Sequence, residues 1–551
     1  MPPCVIFEDE HLLVVNKPAG MNTHAPSPFA GEGIYDWLRH REPRWAKLAI
    51  IHRLDKETSG VIVFGKTTAA NRALTEQFTK RFVHKKYLLL TDRAPKRDEL
   101  VVKSKIARAG EHYVSGTLGE TAETHFKITA DDRRIGSYTA IEAEPLTGRT
   151  HQIRVHAAES GFPILGDALY GGTQFLRVCL HAAEIRIQHP VTAEELVFRA
   201  PADFESEPRE LLRATLLEAD ETNAFRLIHG ASDGWPGWYV DRLGDYLLSQ
   251  SEAPLTKPQH QRLADFGTPS TCSARPEFPA AELAESVLGA AIRGVYHKIL
   301  SRHVRGVSTA EASPQLISGQ AAPERFAIRE NGVQFELSFN EGYSVGLFLD
   351  QRDNRRRLFT GHVAADFPLF NTQHGTRNTE VLNVFAYTCA FSVCAARGGA
   401  RTTSLDLSKK YLEWGRRNFS LNGLDPADHD FIFGDAFDWL RRLGKKGRAF
   451  DVIVLDPPTF SQSKEHGAFR VEKNYEELVT AALPLLKPEG VLLASTNAAD
   501  WAPEKFLTAV VGSVRAAKRK ILKQHYVPQP PDFPVSRNEP AYLKTVWLRI
   551  S

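Results

Sequence analysis

Val452-Ile453-Val454-Leu455-Asp456-Pro457-Pro458-Thr459-Phe460 sets four apolar residues before an acid and two prolines. A short apolar run closed by turn residues reads as a buried strand, and the double proline stops it. The same unit recurs outward from this point. Runs 381–385, 402–405, 431–433 and 491–495 are strand-like, and 409–421 and 476–486 carry helical periodicity. Alternating strands and helices predict a parallel, doubly wound α/β sheet, Rossmann-like, over 346–551. Ligands of such sheets bind at the carboxyl ends of the strands. Three acids stand there: Asp406, Asp435 and Asp456. A carboxylate near the second strand's end suits a ribose diol, which offers two hydroxyl donors. Taken singly, each acid reads equally as a helix cap. A dehydrogenase is disfavoured, because Asn383-Val384-Phe385-Ala386-Tyr387-Thr388-Cys389-Ala390-Phe391 carries no glycine fingerprint for a pyrophosphate.

The other end of the chain reads differently. Runs 5–7, 12–15, 61–64, 87–90 and 141–143 are strand candidates punctuated by Gly and Pro, and 71–81 is the clearest helix. Residues 1–203 therefore predict an α+β domain on a mixed, mostly antiparallel sheet. A charged helical stretch, 205–217, makes 204–222 a linker. A small α/β domain is expected over 223–345. It holds the turn Ser232-Asp233-Gly234-Trp235-Pro236-Gly237 and strand-like runs 238–240 and 246–249. Its polar stretches near 250–280 and 305–325 are expected to be surface loops.

Bulk properties agree with several domains. A chain of 551 residues is too long for one core. With 42% hydrophobic and 25% charged residues it is an ordinary globular composition. No apolar run reaches the roughly 18 residues of a membrane span, and no basic, then apolar, leader opens the chain. The net charge of +3 does not demand a nucleic-acid partner. Local basic patches such as Arg355-Arg356-Arg357 and 515–520 allow one. Cys4, Cys179, Cys272, Cys389 and Cys394 form no CxxC pair or Cys/His cluster. No disulfide framework or metal site is expected, and a reducing cytoplasm is the simple inference.

Three strings concentrate the chemistry of the first half: His52-Arg53-Leu54-Asp55-Lys56-Glu57-Thr58-Ser59-Gly60, Leu146-Thr147-Gly148-Arg149-Thr150-His151-Gln152-Ile153-Arg154-Val155-His156, and Gly166-Asp167-Ala168-Leu169-Tyr170-Gly171. Asp55 lies between turn signals in an apolar setting, and a partly buried aspartate needs a partner. Arg53, Arg149 and Arg154 are candidates. A carboxylate held ionised by arginine can act as nucleophile or base. That reading names no substrate.

Together with Asn16-Lys17-Pro18-Ala19-Gly20, these strings closely resemble the RluA-type pseudouridine synthases over about residues 5–200. The resemblance implies that Asp55 is the catalytic aspartate. It acts on the ribose of a target uridine while the glycosidic bond breaks and uracil rejoins through C5, without metal or organic cofactor. It implies that Arg53 helps extrude the nucleotide, which must leave its stack to be reached. Tyr87 would stack on the flipped base and take its proton, and Arg154 would pair with Asp55. His181, in Leu180-His181-Ala182, reads as structural. Some relatives carry a small RNA-binding domain before the catalytic one; with the resemblance starting at about residue 5, substrate guidance is expected from the second half instead.

The second half resembles class I methyltransferases acting on 23S ribosomal RNA, on Gly342-Tyr343-Ser344-Val345-Gly346-Leu347-Phe348-Leu349-Asp350-Gln351-Arg352, the loop 383–391 and the Asp456-Pro457-Pro458 string. This implies S-adenosyl-L-methionine as cofactor, with Gln351, Arg352, Phe385, Tyr387 and Thr388 around it. Asp406 would hold its ribose and Asp435 would lie by its adenine, while Asp456, Pro457 and Pro458 form the catalytic loop. Cys389-Ala390 stands where relatives carry glycines. Cytosine C5 methylation needs a nucleophilic cysteine, and the strings after Asp456 and around Ser495 hold none. Tyr411-Leu412-Glu413-Trp414 and the Asp456–Lys464 string resemble the guanine-N7 branch, whereas Asp532-Phe533-Pro534 and Tyr542-Leu543-Lys544 resemble the cytosine branch. The expectation is a bifunctional RNA-modifying enzyme acting on rRNA or tRNA, with no DNA or membrane partner. Two rivals stand beside it: a methyltransferase half that only binds RNA, and one that methylates cytosine C5 or a non-RNA substrate.

Overall fold

A computed structural model describes residues 1–93, 95–129, 138–266, 291–300, 312–342, 344–369, 379–463 and 467–551. The second half holds a seven-stranded sheet. Its strands run in the order Asp430–Phe433, Arg401–Asp406, Glu380–Val384, Phe450–Leu455, Leu486–Thr496, Lys544–Ile550, Ile521–Val527. The first five pair parallel, and the last two join antiparallel. Side chains alternate across this sheet, as the two-residue period of a strand requires. Val452 and Val454 enter one core, and Ile453 and Leu455 enter the core on the opposite face. Burial on both faces explains the uninterrupted apolar run. From Glu380–Val384 the chain first proceeds to one side of the sheet, then returns to the other at Phe450–Leu455. That reversal opens a crevice at the strand ends.

The first half folds on an eleven-stranded sheet, antiparallel except where Ser59–Gly65 runs beside Leu180–Gln188. Gly60 is required at that contact. It has φ +118°, and a Cβ there would stand 2.3 Å from the Ala182 carbonyl oxygen. The helix Thr68–Thr79 crosses behind, starting at a Thr67 cap that accepts from the Ala70 amide.

Between these lies a five-stranded sheet in the order Ala224–His229, Trp238–Leu243, Tyr246–Ser251, Gly294–Ile299, Gln315–Gly319. Two expectations of plain loop are corrected here. The stretch near 250–280 contains the helix Lys257–Asp265, opened by a Thr256/Gln259 capping box with proline in its first turn. The stretch near 305–325 contains the edge strand Gln315–Gly319, whose residues are all exposed, Leu316 and Ile317 among them. Residues 267–280 and 305–311 of those stretches, Cys272 among them, lie outside the described residues.

The expected linker is packed on both sides. From the helix Pro208–Leu216, Leu212 and Leu216 enter the core with Trp37, while Ala214 and the following Leu217 enter that of Trp238. Arg213 donates to Asp233 at 2.5 Å and to the Asp532 carbonyl at 3.2 Å. Direct contacts also join the two ends of the chain: Arg356 pairs with Glu42, and the His362 ring meets the Arg39 carbonyl at 2.9 Å. No helix among the described residues is long and apolar enough to cross a membrane.

Candidate active sites

The Asp55 loop joins the strands Ala49–Ile50 and Ser59–Gly65. It is pinned from outside. Thr23 Oγ1 donates to the Leu54 carbonyl at 2.8 Å, and accepts from its amide at 3.1 Å. Lys17 is fully buried, and its ammonium donates to the carbonyls of Pro18, Met21 and Lys56. Burial pushes its pKa down to about 7. The Asn16–Gly20 and His52–Gly60 strings are thus one mechanical unit. A turn closed by the Thr58 amide on the Asp55 carbonyl, 3.1 Å, turns the carboxylate into a cavity of about 850 Å³.

Arg53, Asp55, Tyr87 and Arg154 all line this cavity. Arg53 is exposed. Tyr87 is half-buried, and burial first, then the nearby Asp55 charge, pushes its phenol pKa upward. The pairing expected for Arg154 is corrected. Its guanidinium makes a two-pronged bond to Asp167, at 2.6 and 2.7 Å, and lies over the Tyr170 ring. A fork-to-fork bond of this kind outcompetes a single contact to a half-exposed acid. Burial opposes the Arg154 charge, but the bond to Asp167 and the charges of Asp167 and Asp55 raise its pKa overall. The side chain nearest Asp55 by ion pairing is one that sequence reasoning left without a role. His151 Nε2 stands 3.9 Å from its carboxylate. His151 has φ +56° and is held by the Tyr170 hydroxyl at 2.8 Å. Lys85 and Arg149 add further positive charge to the wall.

The second site is a cavity of about 440 Å³ at the carboxyl ends of the parallel strands. Gln351, Phe385, Tyr387, Thr388, Asp406, Asp456, Pro457 and Pro458 line it. Asp406 accepts the Tyr387 and Ser408 amides, each at 2.8 Å, one on each carboxylate oxygen. Each oxygen keeps a lone pair for a diol. The loop 385–389 is wound tightly, with Phe385, Tyr387 and Cys389 at φ +62°, +50° and +61°. Gly415 leaves room for it, since a Cβ there would stand 2.3 Å from Cys389 Sγ. Tyr387 and Tyr411 rings meet edge-on at 4.5 Å and form an aromatic wall. These acceptor oxygens and aromatic faces fit a nucleoside with a vicinal diol.

One expected cofactor contact, Arg352, lies elsewhere. Arg352 is buried and donates both terminal nitrogens to Asp532, at 2.9 and 2.5 Å. Asp435 is not in the cavity wall; its carboxylate accepts the Asp438 amide at the start of the helix Ala436–Lys445. Conversely, Asp350 lines the cavity beside Asp456 and had no assigned role. The Gln351 amide donates to Asp456 at 3.1 Å and to Ser495 at 2.8 Å. Burial, then the charge of Asp350, pushes Asp456 up to about 7.

Comparison with known proteins matches both halves. A family profile described as RNA pseudouridylate synthase covers residues 11–159, and one described as S-adenosylmethionine-dependent methyltransferase covers 281–549. A ribosomal RNA large subunit methyltransferase of Deinococcus radiodurans is 30% identical over 66% of this chain and 83% of its own. The chain belongs to the large-subunit ribosomal RNA methyltransferase family. Ribosomal RNA large subunit methyltransferase I of Klebsiella pneumoniae is 31% identical over 61% of this chain and 76% of its own. Ribosomal large subunit pseudouridine synthase C of Yersinia pestis is 39% identical over 36% of this chain and 66% of its own. This member of the methyltransferase family therefore also carries an RNA pseudouridylate synthase domain. It is an isomerase and a transferase in one chain, with RNA as partner and S-adenosylmethionine as cofactor.

Proposed function

We propose that the methyltransferase half methylates N7 of a guanine in large-subunit ribosomal RNA, and that the synthase half isomerises uridine through Asp55. The observation that carries the base assignment is the thiol inventory. Among the described residues no cysteine lines the cavity. Cys389 is fully buried, and burial pushes its thiol up to about 12. Cys394 is buried and shifted the same way. Neither is a nucleophile for cytosine C6. Guanine N7 presents its own lone pair, so the protein needs only to position it.

Bound S-adenosylmethionine supplies a methyl group activated on sulfonium sulfur. Asp406 suits its diol, and the Tyr387–Tyr411 wall suits a flat base. Gln351 fixes the orientation of the Asp456 carboxyl, and Pro457-Pro458 stiffens the loop that carries it. In the synthase cavity, the raised phenol pKa supports Tyr87 as a neutral hydroxyl and stacking surface. Arg53 suits the backbone of an extruded nucleotide, and Arg154 acts through Asp167 and His151 on the setting of Asp55. In this reading residues 1–203 and 346–551 are the catalytic domains, and the enzyme works in the cytoplasm with the ribosomal RNA. Full-length protein, S-adenosylmethionine and unmodified large-subunit rRNA test it by nucleoside mass spectrometry. Pseudouridine and 7-methylguanosine are expected; 5-methylcytidine would overturn the base assignment.

A further inference from the structure

Glu32, His40 and His525 come from opposite ends of the chain. Glu32 precedes the helix Ile34–Arg41, His40 sits in its last turn, and His525 lies on the strand Ile521–Val527. One ligand atom of each lies within 4.8 Å of the other two. His40 Nδ1 is 2.6 Å from Glu32 Oε1, and the His40 and His525 rings meet edge-on with centroids 4.4 Å apart. The Nε2 nitrogen of His525 is buried and has no hydrogen-bond partner among the described residues. Buried polar atoms left so are uncommon, and each asks for a missing partner.

We propose that Glu32, His40 and His525 form a binding site for a divalent cation of the zinc class, which staples the synthase half to the methyltransferase half. Two imidazoles and one carboxylate are a borderline nitrogen–oxygen donor set of the kind zinc takes, with a fourth position for water. Bond lengths of about 2.0–2.2 Å set tetrahedral ligand atoms about 3.4 Å apart, so His40 and Glu32, 2.6 Å from each other, must part, and His525 must settle within the 4.8 Å that bounds the three. Arg357 stands 3.5 Å from Glu32 and donates its other nitrogens to the Val363 and Asp353 carbonyls. Its charge weakens cation binding, and its hydrogen bond fixes the carboxylate, as outer-shell partners do. His362 is nearby but is engaged at the Arg39 carbonyl. The side chains of Glu32 and His40 remain 11% and 14% exposed, so an ion has a way in.

The test uses the full-length chain, freed of metal by chelation and titrated with zinc ion. One zinc per chain is expected by calorimetry and by elemental mass spectrometry. His40→Gln and His525→Gln should each weaken binding at least tenfold. Zinc should raise the melting temperature of the wild type but not of His525→Gln. X-ray absorption at the zinc edge of the wild-type complex should show two imidazoles and oxygen. It reads the ligands even if a variant folds poorly. Absence of stoichiometric zinc, a sulfur or single-imidazole shell, or unchanged binding by both folded glutamine variants would each overturn the site.

Discussion

The two cavities place a working carboxylate in opposite electrostatic surroundings. Asp55 shares the larger cleft with Arg53, Lys85, Arg149 and Arg154, with 30% of its side chain exposed, while burial lowers the pKa of the neighbouring His151. Asp456 faces another acid, Asp350, in a cavity half that size. A cleft lined with cations gathers a polyanion. A pocket lined with carboxylates instead suits diols and a positively charged sulfonium. The first cleft thus suits a polyanion alone, while the second has to take a cationic cofactor beside its RNA base.

The comparison can be broken most severely at Asp55. Asp55→Asn should reduce pseudouridine formation by about 10³-fold or more while methyl transfer stays within twofold. Parallel assays on one rRNA substrate check this. Next in size is Asp406→Asn, which keeps one oxygen acceptor but removes the charge. It should weaken S-adenosylmethionine binding by about 10–100-fold in calorimetry and leave pseudouridine formation intact.

The third variant tests the wound loop. Gly415→Ala drives a Cβ against Cys389 Sγ and should cost about 1–3 kcal/mol in denaturant melts. Cys389→Gly removes both the obstacle and a left-handed non-glycine residue. The double variant should therefore recover most of that loss. The fourth variant concerns Asp456. Its folded pKa, about 7, lies above its ordinary value, so the folded state binds the extra proton between about pH 4 and 7. Stability contributed by this group is present at low pH and lost as pH rises through that window. Asp456→Asn should match the wild-type melting temperature near pH 4 and exceed it by a few degrees at pH 8.

Much of this was legible in the chain. The run Val452–Leu455 signalled its strand because both faces are buried, and Lys409–Leu421 has the bounds its periodicity predicts. Asp55 stood out because its string is compact in sequence. Features that depend on distant partners were not legible. Arg154 takes Asp167, 13 positions on, where the fork geometry is available. Asp435 caps its helix, as the Asp435-Ala436-Phe437-Asp438 pattern allows. Asp350 sits in the string 342–352, yet only the fold brings it beside Asp456. The Glu32–His40–His525 cluster defeats any spacing rule, since almost the whole chain separates His525 from the other two.

The central claim is that one chain holds two independent active sites. Nucleoside mass spectrometry of large-subunit rRNA treated with wild type, Asp55→Asn and Asp406→Asn tests it most directly. Each variant is expected to lose only its own product, pseudouridine in the first case and methylated base in the second. Loss of both products in either variant, with circular dichroism unchanged, would contradict the account.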